Sequence, residues 1–479
     1  MTLVTRASES LSHGVGMALP VDLLQAVSSP GGGKIALVVG AGCSVEAPTS
    51  IPLARQCSME VHRRLLDDGV LQNGDCTDPT DLSVVADAVF AKENSQRKVV
   101  ERLCDQYDLK LATPNEGYLI AAAMLCEGAI SSVVTLNFDL ALSNALSELG
   151  AGHIVGVIEC PEDVPRQKTI NVYYLHRNVN TADSELWVLR TAALEHDWKS
   201  QWEPIITTKV LTAPLVVFVG LGTPVAVLIE STKLLRNALP AATKLYQVDP
   251  GDKTSSKFFQ ELALDTSAYI QCGWCQFMDE LSQRLLKEQV VQLEEAVERK
   301  VKDDRLPTEN VADLLARLQA LGLVKFGKLR AHWLLHDKPY CRVEPNALGL
   351  VADLLLALAM MARVSGAVAV IIEDGVVEFH RNGRIVAGYL VVSGCGHRGR
   401  SAIEVDVESR RKQYRGRLTP PRGVIVGGTS DFWPMTVTPP SDVVRGDVSE
   451  DIIGETNTLP LVHINELRTD ENCVHQVVP

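Results

Sequence analysis

An apolar run at residues 35–39, Ile-Ala-Leu-Val-Val, passes directly into Gly40-Ala41-Gly42-Cys43-Ser44. Such a run reads as a buried parallel strand, and the glycines behind it as a tight turn with a helix beginning just beyond. In that arrangement backbone N–H groups can meet a pyrophosphate with no side chain in the way, and the helix N-terminus adds favourable electrostatics. Glycine turns follow strands throughout α/β proteins. The turn therefore sets the fold class and leaves the chemistry to residues downstream.

From Lys34 to Arg284 apolar runs alternate with helical patterns, as expected for a Rossmann-like, doubly wound parallel sheet. The expected strands are 35–39, 130–136, 169–175, 215–219, 244–248 and 267–271. A long, mostly helical insertion (52–127) separates the first two. A polar insertion (178–213) holds Trp187, Trp198 and Trp202 and is expected to cap the site. Residues 20–27 read as a short amphipathic helix. Residues 289–302 read as a charged helix, and Asp303-Asp304 with Pro307 punctuates the chain behind it. The expected division is an N-terminal helix and linker (1–33), a nucleotide-binding domain (34–288) and a C-terminal α+β domain (289–479). Within the last, a helix at 308–321 is expected to be capped by Thr308 and ended by Gly322, with strands in 368–392 and 401–426.

A chain of 479 residues is long enough for two or three domains, and its net charge of −13 argues against a general nucleic-acid-binding surface. Residues 1–12 are polar and show no secretory signal. The apolar stretch 348–372 carries Asp353 and Arg363 and breaks at Ser365-Gly366, so it reads as a buried helix followed by a strand rather than a membrane span. Eleven cysteines without disulfide-like spacing fit a reducing cytoplasm, and the protein is expected to be soluble there. Only Cys272 and Cys275 form a CxxC, one pair too few for a structural zinc.

Two further elements lie at expected strand ends, where open parallel sheets bind ligands. Thr135-Leu136-Asn137-Phe138-Asp139 brings an amide that can hydrogen-bond a ribose hydroxyl or hold a water, and a carboxylate that can stabilise developing positive charge. The same Asn137 and Asp139 also suit the cap of a following helix. Tyr174-Leu175-His176-Arg177 brings a histidine able to take a proton near neutral pH, although a lone histidine is more often structural.

In this order, Gly40 to Ser44, Ile51-Pro52 with Arg55, Thr135 to Asp139 and Leu175-His176 resemble the sirtuin NAD-binding core, and more specifically the sirtuin-like domains of bacterial antiviral defence systems. The resemblance spans about the first 285 residues. It continues through Gly220-Leu221-Gly222-Thr223, where sirtuins carry a Gly-Thr-Ser turn, Gln247-Val248-Asp249 at the adenosine ribose, and Gly273 near the adenine. It implies that Gly40, Ala41, Gly42 and Ser44 line the diphosphate and nicotinamide ribose. It further implies that Asn137 and Asp139 sit at the nicotinamide end, that His176 is the catalytic base, and that Arg55 helps order the cofactor. Gly220, Gly222, Thr223, Asp249 and Gly273 complete the implied NAD+ contacts.

The departures carry information too. Sirtuins have Asp-Phe where this chain has Leu53-Ala54, and losing the aromatic cover opens that end of the pocket to water. Arg177 replaces the usual glycine after the histidine. No cysteine occurs between Arg177 and Pro214, so the zinc module that frames the acyl-lysine groove is missing. The implied reaction is hydrolysis of NAD+ to ADP-ribose and nicotinamide, without a metal, by an NAD-depleting effector of antiphage defence. Such relatives imply a homo-oligomer, a partner such as a HerA-type ATPase or an Argonaute, and a C-terminal region that holds the activity in check. The rival expectations are an NAD-dependent protein deacylase and a non-catalytic NAD sensor that recruits a partner.

Other signals weigh less. Cys272-Gly273-Trp274-Cys275 mimics a redox motif outside the fold that motif needs. Glu404, Asp406 and Glu408 alternate as on a solvated strand face. A basic cluster from His397 to Arg417 could dock a partner or nucleic acid indirectly. Residues 308–325 loosely suggest a winged helix.

Overall fold

The computed structural model describes residues 19–28, 33–195, 202–222, 225–238, 243–304, 310–372, 375–394, 421–428 and 461–463. Seven strands, β1 (Ile35–Val39), β2 (Ile130–Thr135), β3 (Val155–Ile158), β4 (Ile170–Tyr174), β5 (Leu215–Val219), β6 (Lys244–Asp249) and β7 (Tyr269–Gln271), form one sheet in the order β3-β4-β2-β1-β5-β6-β7. Every neighbouring pair is parallel. Rossmann-like, doubly wound topology is therefore observed. From β1 the chain places β2, β3 and β4 on one side, with β4 inserted between β2 and the edge strand β3, and then crosses to the other side at β5. The strand order reverses between the β1 and β5 ends, where such sheets form a ligand crevice.

Burial follows from period-two alternation across a sheet covered on both faces. Leu37, Val39, Val133 and Val217 enter a core roofed by the helix Glu116–Cys126, while Ala36, Val38, Val134 and Phe218 enter a second core with Ile206 of the helix Glu203–Leu211. The insertion between β1 and β2 is helical as expected, with helices at Ala54–Asp67, Leu82–Glu93, Arg97–Gln106 and Glu116–Cys126. The edge strand β3 was not among the expected strands.

The charged stretch 289–302 is the second half of one continuous helix, Trp274–Asp304. Its core changes partway along: Leu281 and Leu285 pack with the first sheet, whereas Leu286, Val290 and Leu293 pack with the C-terminal residues. Those residues build a second sheet, β8 (Val368–Ile371), β9 (Val376–Arg381), β10 (Arg384–Gly394), β11 (Gly423–Gly428) and β12 (Leu461–His463), in the order β12-β11-β10-β9-β8. It is antiparallel from β8 to β10 and parallel from β10 to β12. The apolar stretch before β8 forms the helix Pro345–Ser365, ended by left-handed Gly366; by length and composition it could cross a membrane, but Val351, Leu354, Leu355 and Leu358 are fully buried in the second core. The expected helix at 308–321 is found at Val311–Ala320, and Leu323–Trp333 is a second helix directly behind it. Thr308, Trp198, Glu404, Asp406, Glu408 and the basic cluster 397–417 lie outside the described residues.

Candidate functional site

The turn after β1 is zipped to the turn after β5. Gly40 N donates to Val219 O at 2.9 Å, Gly42 N to Gly220 O at 3.1 Å, and Cys43 N to Gly40 O at 3.0 Å. A Cβ on Gly42 would stand 2.7 Å from Gly220 Cα, and one on Gly40 would stand 2.4 Å from the Leu221 side chain. Gly220 itself is left-handed, at φ 68°. Glycine is therefore demanded here by the contact of two turns, and these three amides are engaged within it. The helix expected directly behind the turn is replaced by a four-residue 3-10 turn, Ala41–Ser44, and the α-helix begins only at Ala54. So short a turn brings little of a helix-terminus field.

Behind this turn four buried side chains share hydrogen bonds. Ser44 Oγ donates to Asp139 Oδ2 at 2.8 Å and pairs with the Tyr118 hydroxyl at 2.8 Å. Asn137 Nδ2 lies 3.1 Å from both Ser44 Oγ and the Tyr118 hydroxyl, and 3.2 Å from Gly40 O. Asp139 Oδ1 accepts from Ala141 N at 3.0 Å, so the capping role read from the sequence is present alongside the cluster contacts. Burial pushes the Asp139 carboxyl above its usual range, against the hydrogen bonds from Ala141 and Ser44. It also pushes the Tyr118 hydroxyl well up. A proton-rich, desolvated cluster of this kind holds its geometry tightly.

Tyr118 and Asn115 are site residues that the sequence reading missed. Asn115 is fully buried; its Nδ2 donates to Cys43 O at 2.8 Å, and its Oδ1 accepts from Tyr118 N at 3.1 Å and Trp274 Nε1 at 3.2 Å. It thus fastens the glycine turn to the helix that carries Tyr118. The available signal was Asn115 as the helix N-cap.

His176 follows β4 at the same edge of the sheet and is 8% exposed. Its ring faces Phe138 at 6.3 Å between centroids, and Phe138 stacks on Trp187 at 4.9 Å. Of the insertion expected to cap the site, Trp187 packs here with Phe138, whereas Trp202 packs in the core on the other face of the sheet. Burial lowers the imidazole pKa to about 4; a hydrogen bond with the Leu136 backbone opposes the shift and the Arg177 charge adds to it. At neutral pH His176 is therefore an uncharged proton acceptor.

The remaining sequence candidates spread along the strand ends. Gly222 leaves open space, with nothing within 4 Å of a Cβ placed there. Thr223 lies outside the described residues. Asp249 Oδ1 accepts from Gly251 N at 2.8 Å, closing its own turn. Gln247 is fully buried and donates to Leu221 O and Ser256 Oγ. A Cβ on Gly273 would stand 3.0 Å from Glu46 Oε1. Arg55 is exposed on the first turn of the helix Ala54–Asp67, apart from the buried cluster. Burial raises both the Cys272 and Cys275 thiols to about 12, so neither is a thiolate at neutral pH and the redox reading fails. Trp274 between them is a core residue, edge-on to Tyr118 at 5.6 Å. A separate cavity of about 560 Å³ opens at the opposite edge of the sheet, between Gly128, Gln289 and Leu348.

No family model and no curated protein matches the chain. Among solved structures it is similar to a Sir2 homologue mutant in complex with ADP-ribose, at 16% identity over 56% of this chain and 97% of that one, with a TM-score of 0.34. It is likewise similar to a Sir2 homolog–NAD complex, at 15% identity over 57% and 97% of the two chains with a TM-score of 0.33. A Sir2 bound to acetylated peptide is similar at 14% identity over 55% and 96%, with a TM-score of 0.31.

Proposed function

We propose that this chain is a sirtuin-like NAD+ hydrolase that cleaves NAD+ to ADP-ribose and nicotinamide. The observation that carries the reading is the meeting of Ser44, Asn137, Asp139 and Tyr118 behind the glycine turn, with neutral His176 at the neighbouring strand end. In this reading NAD+ lies across the strand ends, its adenosine towards Asp249 and Gly273 and its nicotinamide ribose towards Asn137 and His176. Gly222 gives a phosphate room to approach. Nicotinamide leaves as the ribose gains oxocarbenium character, and the fixed dipoles of the buried amide and hydroxyls stabilise that charge. His176 accepts a proton from a ribose hydroxyl or from the attacking water. The missing cover at Leu53, which is 47% exposed, favours water over an acyl-lysine as nucleophile.

Residues 34–288 form the catalytic unit of this reading and residues 289–479 a unit that holds it in check. The biological role is NAD depletion in cytoplasmic antiphage defence, in a homo-oligomer and with a partner such as a HerA-type ATPase or an Argonaute. The test is incubation of the purified chain with NAD+ and no peptide, following nicotinamide and ADP-ribose by chromatography. Both should accumulate in equal amounts, and Asn137→Ala and His176→Ala should each slow release by about 100-fold or more. Release only in the presence of an acyl-lysine peptide would establish the deacylase instead. Binding without turnover would establish the sensor.

A further inference from the structure

Arg177 directly follows His176, and its arrangement is costly in three ways. Its backbone is left-handed, at φ 69°, a conformation that favours glycine. Its side chain is 6% exposed, yet Nε and Nη1 make no hydrogen bond; Glu203 Oε1 stands 3.6 Å from Nη1. Glu203 is as deeply buried, and its Oε2 also makes no hydrogen bond. An ion pair taken out of water with unfilled hydrogen-bonding capacity is poor at stabilising a fold. A backbone held in a disfavoured region persists only where its surroundings enforce it, and such positions cluster at functional sites.

The surroundings here are specific. The Arg177 guanidinium lies over the Trp202 ring at 5.4 Å, and Trp202 packs with Leu175 and Ile206 in the core on one face of the sheet. His176 faces Phe138, which packs against the helical insertion instead. The left-handed turn thus divides two neighbours between two cores. Beyond it, Val188 N donates to His176 O at 3.2 Å, fixing the backbone from the covering segment. Among the described residues, Glu162 behind β3 feels the Arg177 charge, and Glu159 accepts from the side chain of the next residue, Asn178.

We propose that Arg177 is a positioning residue for His176: clamped to Glu203 and Trp202, it locks the left-handed turn and so fixes the imidazole between Leu136 and Phe138. The proposal rests on the NAD+-cleaving reading for its consequence in catalysis, but not for its structural claim. It also accounts for an arginine where a glycine would suit the backbone better. Glycine permits the turn, whereas the clamped arginine enforces it.

The test is the double variant Arg177→Gly/Glu203→Gln, which permits the same turn, removes both buried charges and leaves no clamp. Histidine-labelled parent and variant are compared by NMR, with the His176 imidazole signal assigned from its loss in His176→Asn. In the variant that signal should move and begin to titrate between about pH 5 and 7, where the parent's stays neutral. For NAD+ cleavage, kcat should fall about tenfold or more with KM within about twofold, the mark of lost alignment rather than lost binding. Should the double variant not fold, Arg177→Lys, which keeps the charge and loses the planar contact with Trp202, is expected to move both readouts the same way by less. An imidazole signal and a kcat unchanged in the variant that folds overturn the proposal. A parent chain that cleaves no NAD+ refutes the function proposed above and leaves the imidazole signal to decide this claim alone.

Discussion

His176 is the residue at which burial, charge and chemistry meet. Its imidazole pKa falls from 6.5 to about 4 because the folded protein desolvates the ring and places Arg177 beside it. Between those values the unfolded chain binds a proton that the folded chain refuses, so stability is lost as pH falls through this window. The contribution is zero above pH 6.5 and grows to at most roughly 3 kcal/mol near pH 4. Asp139 acts in the opposite sense, because its raised pKa lets the folded state hold a proton that the unfolded state releases. Comparing the parent with His176→Gln isolates the histidine. Urea unfolding at a series of pH values should show the gap between the two chains closing or reversing towards pH 4.5, to the advantage of the glutamine variant. A parallel pair of curves would show that His176 titrates alike in the folded and unfolded chains, so that burial does not lower its pKa.

At the scale of elements, the glycine turns of β1 and β5 form one unit, and their glycines differ in what they do. Gly42→Ala puts a Cβ 2.7 Å from Gly220 Cα, so two backbones must separate; this should cost about 1–3 kcal/mol in thermal unfolding. Gly222→Ala meets nothing within 4 Å and should leave stability within about 0.5 kcal/mol. If Gly222 borders the phosphates, the same variant should weaken NAD+ binding in calorimetry while the fold is unharmed. Unchanged affinity would move the phosphates elsewhere.

The same elements show how far the sequence could be read. Strands such as β1 and β5 are apolar throughout, since the sheet is covered on both faces, and their bounds were legible to the residue. β3 was not, because it is four residues long at an edge and flanked by 3-10 turns. Asn137, Asp139 and His176 were legible because polar residues ending apolar runs stand out. Tyr118 was hidden because its helix is apolar on nearly every side, so one hydroxyl reads as core. The left-handed turn at Arg177 was hidden because no glycine marks it.

The whole molecule turns on one carboxylate. Glu127 caps the C-terminus of the helix Glu116–Cys126, whose first turn carries Tyr118 into the candidate site. Its Oε1 accepts from Arg330 and from the Tyr340 hydroxyl at 2.7 Å, and its Oε2 accepts from Val343 N at 3.0 Å. Arg330 in turn donates to Gln289 Oε1 at 3.1 Å and to Cys341 O at 3.0 Å. Three segments, the helix Leu323–Trp333, the stretch 340–343 and, through Arg330, the helix Trp274–Asp304, thus converge on the base of a helix whose other end reaches the cluster. Both charges are buried, at 1% and 3% exposure, so removing one strands the other. Arg330→Met should therefore destabilise by about 3–5 kcal/mol, whereas Arg330→Met with Glu127→Leu should recover much of that loss. Scanning calorimetry distinguishes a simple loss of stability from a loss of coupling. If the pair joins the two cores, the parent should melt in one transition and Arg330→Met in two, with the C-terminal core melting first. The double variant should regain stability while keeping two transitions, because apolar side chains replace the energy of the pair but not its hydrogen bonds to three segments. A single transition in all three chains would mean that the continuous helix Trp274–Asp304 and contacts such as Lys328–Glu148, with Leu323 and Tyr340 in the first core, hold the two cores together without the pair.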